Sequence, residues 1–186
     1  MRVVAGRFAG RSLDSPRGVA TRPTTGRVRE ALFSILGSLL ELRVLDLYSG
    51  SGALGIEALS RGADRVVLVE SARPALACIH RNLSRLEIGE EVTVVPARVE
   101  RSSERLEALG PFDLVLCDPP WATIARCSAH VARLLQGRLV TGDATVVVEH
   151  PARLTIPEIE LAVGPPFDRR CYGDTGLSLY RIHSPS

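Results

Sequence analysis

The 186-residue sequence predicts an α/β protein built on a mostly parallel sheet with helices on both faces. Three observations carry that expectation. From residue 42 onward, strand-like runs alternate with helix-like ones. The strand-like runs are nearly all apolar, as strands are when both faces are covered. The last two runs follow one another without a helix, which predicts an antiparallel hairpin at one edge.

In order, LRVLDLY (42–48) is a first strand and ALGIEALSRG (53–62) a helix stopped by Gly62. DRVVLVE (64–70) is a second strand and RPALACIHRNLSRL (73–86) a second helix. EVTVVPA (91–97) and VERSSERLEAL (99–109) repeat the pattern, as do FDLVLCD (112–118) and TIARCSAHVARLLQ (123–136). ATVVVEH (144–150) is a fifth strand, with Glu149 and His150 at its end, near the ligand edge. EIELAVG (158–164) and TGLSLYRIH (175–183) bring the sheet to seven strands, with Tyr172, Gly173 and Asp174 as a turn before the last.

The N-terminal part differs. RVVAGRFAGRSL reads as two short strands joined at AGRFAG, a small hairpin. RPTTGRVREALFSILGSLL reads as a helix capped by Thr24 or Thr25. Its apolar face is Val28, Leu32, Ile35, Leu36 and Leu39, with Arg27, Arg29 and Glu30 off that face. Residues 1–30 hold seven arginines (2, 7, 11, 17, 22, 27 and 29) against Asp14 and Glu30, a local charge of +5 in a chain of net +2. A basic stretch on a near-neutral body points to a polyanionic partner, RNA or DNA first.

No apolar run is long enough to span a bilayer, and the start lacks the apolar stretch of a secretory leader, so the expectation is a cytoplasmic protein. The four cysteines form no C-x-x-C pair and no zinc-like spacing with the four histidines, so reduced thiols and no metal are expected.

Two motifs carry chemistry. The first strand runs into DLYSGSGALG, where Gly50, Gly52 and Gly55 fit G-x-G-x-x-G between a strand and a helix. Asp46 sits four residues before the first glycine, poorly placed against a pyrophosphate and well placed against a cation. S-adenosylmethionine has an ammonium and a sulfonium and no phosphate. Glu70 ends the second strand, where such folds hydrogen-bond a ribose diol. Ala97-Arg98-Val99, after the third strand, is placed to flank the adenine of a bound cofactor or to serve structure alone.

The second motif is Asp118-Pro119-Pro120-Trp121, at the carboxyl end of the fourth strand. Pro119 keeps Asp118 extended, and consecutive prolines stiffen the turn. The turn offers a carboxylate and a fixed carbonyl, both acceptors, which together suit a planar exocyclic NH₂ group. Trp121 supplies a face on which the ring bearing that amine stacks.

These residues resemble a known family. D-P-P-aromatic behind D-x-x-x-G-x-G is similar to the amino-methyltransferases of nucleic acids. With RVVAGRFAGRSL, RPTTGRVREALFSIL, VVVEH and YGDTGLSLYR, nearly the whole chain resembles the RsmD type of 16S ribosomal RNA guanine-N2 methyltransferase. The resemblance implies a Rossmann-like class I methyltransferase fold of seven strands with a small N-terminal β-hairpin and helix extension. It implies a basic hairpin arm over residues 1–23 and a methyltransferase domain over 24–186. It implies S-adenosylmethionine held by Asp46, Tyr48, Gly50, Ser51, Gly52, Glu70, Ser71, Arg98, Val99 and Asp118. It implies a target base held by Asp118, Pro119, Pro120 and Trp121, and with the basic stretch it leads to the expectation of RNA held by Arg2, Arg7, Arg11, Arg17, Arg22, Thr24 and Arg27. The implied partner is 16S RNA in the small ribosomal subunit or its assembly intermediate, met by a monomer. Gly26 stands where an acid is expected and Trp121 where Tyr or Phe is commoner.

Two other readings compete. A DNA enzyme methylating an exocyclic amine uses the same motif, although 186 residues hold no separate recognition domain. An NAD-dependent oxidoreductase, or a nucleotide-binding module without chemistry, is allowed by the Gly-rich turn but needs neither Asp46 nor the D-P-P-W turn.

Overall fold

The structure is a computed structural model that describes residues 1–16, 25–135, 138–154 and 164–182. Helix α1 spans Gly26–Leu36; the sheet domain follows as β1 (Arg43–Leu47), α2 (Ala53–Ser60), β2 (Arg65–Glu70), α3 (Arg73–Arg85) and β3 (Val92–Pro96). After a 3₁₀ turn (Val99–Arg101) come α4 (Ser103–Leu109) and β4 (Phe112–Cys117), then a second 3₁₀ turn (Trp121–Thr123) and α5 (Ile124–Leu135). Strands β5 (Val140–Pro151), β6 (Asp168–Tyr172) and β7 (Thr175–Arg181) complete one seven-stranded sheet, ordered β3-β2-β1-β4-β5-β7-β6. The first five strands are parallel, and β7 runs antiparallel between β5 and β6.

The strands' two-residue period sends side chains alternately into two cores. Val44, Leu68, Leu114 and Val147 meet Leu32, Ile56 and Ile79 of α1, α2 and α3. Leu45, Val67, Val115 and Val146 meet Leu106 of α4 and Val131 and Leu135 of α5. With both faces covered, the remaining open edge is the rim at the strand ends. The order of strands reverses direction between β1 and β4, and ligands of such sheets bind at the carboxyl ends there.

Several expected elements change in detail. The third and fourth helical runs each begin with a 3₁₀ turn before the α-helix proper. Strand β5 starts four residues earlier than its apolar run, across a register shift opposite Phe112 and Leu114. The edge strand β6 was not legible as a strand: DRRCY has no apolar run, because an edge strand with largely solvated side chains needs none. The expected strand over 158–164 lies outside the described residues apart from Gly164.

Thr25 caps α1, its hydroxyl accepting from Val28 N at 3.3 Å, and Gly37 ends the helix at φ 73°. Arg29, read as off the apolar face, is 2% exposed. Its guanidinium donates to the Arg2 carbonyl at 2.6 Å and lies in the field of Glu57 and Glu149, so a charge inside the protein is compensated there.

The N-terminal strip forms a rudimentary hairpin, with one antiparallel bridge between Arg2 and Ser12 and a Val3–Arg11 backbone bond at 3.0 Å. Val3 and Leu13 enter the core. The strip is fastened by polar groups. The buried Glu57 accepts from Val4 N (2.7 Å) and Ala5 N (3.0 Å), and Ser60 accepts from Phe8 N (3.0 Å). Asn82, fully buried, accepts from Asp14 N at 2.7 Å. At Gly6 (φ 83°) a Cβ would stand 1.8 Å from the Ser60 carbonyl oxygen, so only glycine lets the strip lie this close to α2.

Candidate active site

The first wall is the turn after β1. Tyr48 (φ 61°), Gly50 (φ 57°) and Gly52 (φ 78°) all take the left-handed conformation. For Tyr48 this costs about 1–3 kcal/mol, which the surroundings must offset. Ser49 does so in part: its hydroxyl donates to Asp46 O at 2.7 Å and its amide to Val69 O at 3.0 Å. Gly50 N donates to Glu70 Oε2 at 2.9 Å, and Glu70 Oε1 accepts from Ser71 N (2.6 Å) and Ala72 N (2.8 Å). Glu70 therefore braces the Gly-rich turn and the start of α3, a task beyond the ribose contact its position predicts.

Asp46 is completely buried. Its Oδ2 accepts from Gly55 N at 2.9 Å, while Oδ1 has no hydrogen-bond partner among the described residues. Burial pushes the carboxyl up to about 7, against the Gly55 N–H and with help from the Glu70 charge. An orphaned oxygen of a buried carboxyl on a cavity wall fits a cationic donor, as an ammonium group is.

The second wall follows β4. Register pairs Leu47 with Cys117, and Asp118 N donates to Leu47 O at 3.4 Å, so the two turns lie side by side. The Pro120 carbonyl is taken by Thr123 N (2.9 Å) and Thr123 Oγ1 (3.2 Å). The Pro119 carbonyl has no such partner among the described residues, so it is the one left for a ligand. Trp121, half-buried, opens the 3₁₀ turn that leads into α5.

One cavity of about 920 Å³ joins both walls. Asp46, Tyr48, Gly50, Ser51, Glu70 and Ser71 line one side, and Asp118, Pro119, Pro120 and Trp121 the other, with Arg98 and Val99 between. Gly52 stands behind the wall as N-cap of α2, where a Cβ would press on Leu68 at 3.2 Å.

The expected RNA-binding residues are not gathered at the cavity. Arg2 reaches Gly10 O at 3.5 Å, Arg7 pairs with Glu91 at 2.7 Å, and Arg11 donates to Arg85 O at 2.8 Å. Arg27 is exposed on α1, and Arg17, Arg22 and Thr24 lie outside the described residues. In their place the cavity gains Met1, Ser15 and Pro16 from the N-terminal strip, and Arg101, Arg126 and His130 from the far side. Sequence reasoning missed these because helical periodicity marks Arg126 and His130 only as polar positions. Their signal is position, immediately after D-P-P-W. His150 is a satisfied core residue, its Nδ1 2.9 Å from Pro151 O and its Nε2 2.9 Å from Ser178 Oγ.

The chain matches the family described as Conserved hypothetical protein 95 over residues 1–181. YlbH of Bacillus subtilis, named provisionally as an rRNA methyltransferase, is 34% identical over 185 residues, 97% of this chain and 98% of that protein. Ribosomal RNA small subunit methyltransferase D of Escherichia coli K12 is 39% identical over 125 residues, 65% of this chain and 60% of that protein. The solved structure of Escherichia coli yhhF, provisionally named a methyltransferase, superposes with a TM-score of 0.79 at 30% identity, covering 100% of this chain and 99% of that one. Seven strands in this order, a Gly-rich turn at the switch point and these matches agree: the chain belongs to the Conserved hypothetical protein 95 family, that of the RsmD-type ribosomal RNA methyltransferases.

Proposed function

We propose that the cavity presents the exocyclic N2 amine of a guanine in 16S ribosomal RNA to S-adenosylmethionine. The single observation behind this reading is that one cavity is walled by both the Asp46–Ser51 turn and the Asp118–Trp121 turn. Family membership makes the chain an S-adenosylmethionine-dependent ribosomal RNA methyltransferase, and a DNA substrate is not favoured. Relatives named for the small ribosomal subunit support that particle, or its assembly intermediate, as the substrate. The reading includes a monomer acting in the cytoplasm. No described helix is long and apolar enough to cross a membrane.

S-adenosylmethionine supplies, when bound, a methyl group made electrophilic by its sulfonium. Asp46 would hold the cofactor's ammonium through its unpartnered oxygen, and Glu70 and the Gly50 turn would hold its ribose side. Asp118 and the Pro119 carbonyl accept the two amine hydrogens, which fixes the nitrogen and favours its pyramidal form as the new bond develops. Trp121 stacks on the base. Holding both partners in line is the main contribution, since positioning supplies about 7–11 kcal/mol in favourable cases. The alkylated nitrogen is acidic, and Asp118 is the acceptor beside it. A guanine reaches such a cavity only from a loop or after flipping out of a stack.

The test is transfer of labelled methyl from S-adenosylmethionine to unmodified small subunits, naked 16S RNA and duplex DNA, with the product nucleoside identified. N2-methylguanosine from subunits or RNA is expected. Label in DNA alone would overturn the RNA reading.

A further inference from the structure

We infer that Arg101 and Arg126 form a phosphate-binding rim that grips the RNA backbone beside the target guanine. The inference deepens the RNA-methylation reading and rests on it. Both residues are exposed and both line the cavity that Asp118 and Trp121 line. Arg101 closes the 3₁₀ turn after β3, and Arg126 stands in the first turn of α5, five residues after Trp121. Neither guanidinium has a hydrogen-bond or ion-pair partner among the described residues. Glu100 lines the same side of the cavity yet pairs with neither.

The contrast with the N-terminal arginines decides the placement. The sequence concentrates positive charge in residues 1–30, but none of the described arginines there lines the cavity: Arg7 pairs with Glu91, Arg11 donates to the Arg85 carbonyl, Arg27 is exposed on α1 and Arg29 is buried. An arginine already paired with a carboxylate, as Arg7 is with Glu91, must share or give up that pair to take a phosphate. Arg101 and Arg126 need break nothing. A base entering the cavity carries its 5′ and 3′ phosphates to the mouth, where a planar guanidinium meets two phosphate oxygens at once. His130, one helical turn beyond Arg126, lines the same mouth, with its Nδ1 2.8 Å from Arg126 O.

The test is binding of unmodified small subunits by filter retention, measured against sodium chloride for the wild type and for Arg101→Ala/Arg126→Ala. Each lost phosphate contact flattens the slope of log K against log salt by about 0.7–0.9. The double variant is expected to flatten it by roughly 1.4–1.8 and to weaken binding most at low salt, by about 25–60-fold near 0.1 M. Arg65→Ala/Arg138→Ala removes the same charge at the opposite edge of the sheet, where β2 and β5 begin, and is expected to keep the wild-type slope. Calorimetric S-adenosylmethionine binding by both double variants shows that each is folded. Equal slopes for the two double variants overturn the rim. Methyl transfer by the wild type is read separately: its absence refutes the RNA-methylation reading, whereas the slopes judge the rim.

Discussion

Two aspartates at one cavity hold opposite positions. Asp118 is partly solvated at a strand end, where a carboxylate is ready to accept from an amine. Asp118→Ala is expected to keep S-adenosylmethionine binding while kcat falls on the order of 10²–10³-fold, the usual loss when one preorganised polar contact to the reacting group goes. Full turnover in that variant, measured with saturating RNA, removes the assigned role. Trp121→Ala is expected to raise KM for RNA, since a stacked base contributes roughly 1–3 kcal/mol, and Trp121→Phe to restore most of it. Asp46 is the buried member of the pair, its carboxyl pushed up to about 7 by burial. In the unfolded chain it ionises near the ordinary aspartate value, so between about pH 4 and 7 the folded, ligand-free protein holds a proton the unfolded one has released. Stability of the free protein therefore falls as pH rises through that window. A bound cation favours the ionised form, so cofactor affinity rises with pH toward about 7 and then levels. Calorimetry across pH 5–8 checks both slopes, and Asp46→Asn is expected to flatten them.

At the scale of elements, α2 and α3 do more than cover the sheet. All eight residues of α2 are buried, including Glu57 and Ser60, which gives an N-terminal strip something polar to bind. Asn82 of α3 extends this. Its Oδ1 accepts from Asp14 N, and its Nδ2 donates to Asp14 O at 3.2 Å and to Ser51 O at 3.0 Å. One side chain thus joins the strip to the Gly-rich turn. Asn82→Ala leaves buried backbone groups unpaired, a loss of about 1–3 kcal/mol each, and is expected to lower Tm and raise KM for S-adenosylmethionine more than it lowers kcat. Equal loss in both parameters, or an unchanged KM, would contradict the link to the turn. Gly6→Ala is expected to destabilise the protein by roughly 1–3 kcal/mol. Hydrogen exchange should then quicken at Val4, Ala5, Arg7 and Phe8, the amides held by α2, before it quickens in the sheet.

At the scale of the whole molecule, the sheet was legible because burial on both faces leaves apolar runs such as RVVLV and DLVLC, which periodicity detects directly. The two walls of the cavity were legible because glycine, proline and acid at strand ends have few other uses. Three features were not. Strand β6 is half solvated and carries Asp168, Arg169 and Arg170, so its pairing depends on β7 and not on its own composition. Glu57, Ser60 and Asn82 are polar residues in helices, and sequence pattern assigns those to solvent unless the partner strand is known. Clustered charge in residues 1–30 points to the strip, whereas among the described residues the arginines that line the cavity are Arg98, Arg101 and Arg126, which a charge count along the chain does not single out.

The way the strip is fastened also sets an order in time. Val4, Ala5 and Asp14 leave the ribosome before their anchors, which lie 52 to 68 residues further along. At about 5–20 residues per second, synthesis of the intervening chain takes roughly 3–14 s. During that interval Val3 and Leu13 have no core to enter. The segment made first thus settles only once α2 and α3 have been made, and with it the cavity wall formed by Met1, Ser15 and Pro16. A nascent chain halted short of Asn82 carries the Gly-rich sequence complete but cannot yet close the pocket around it.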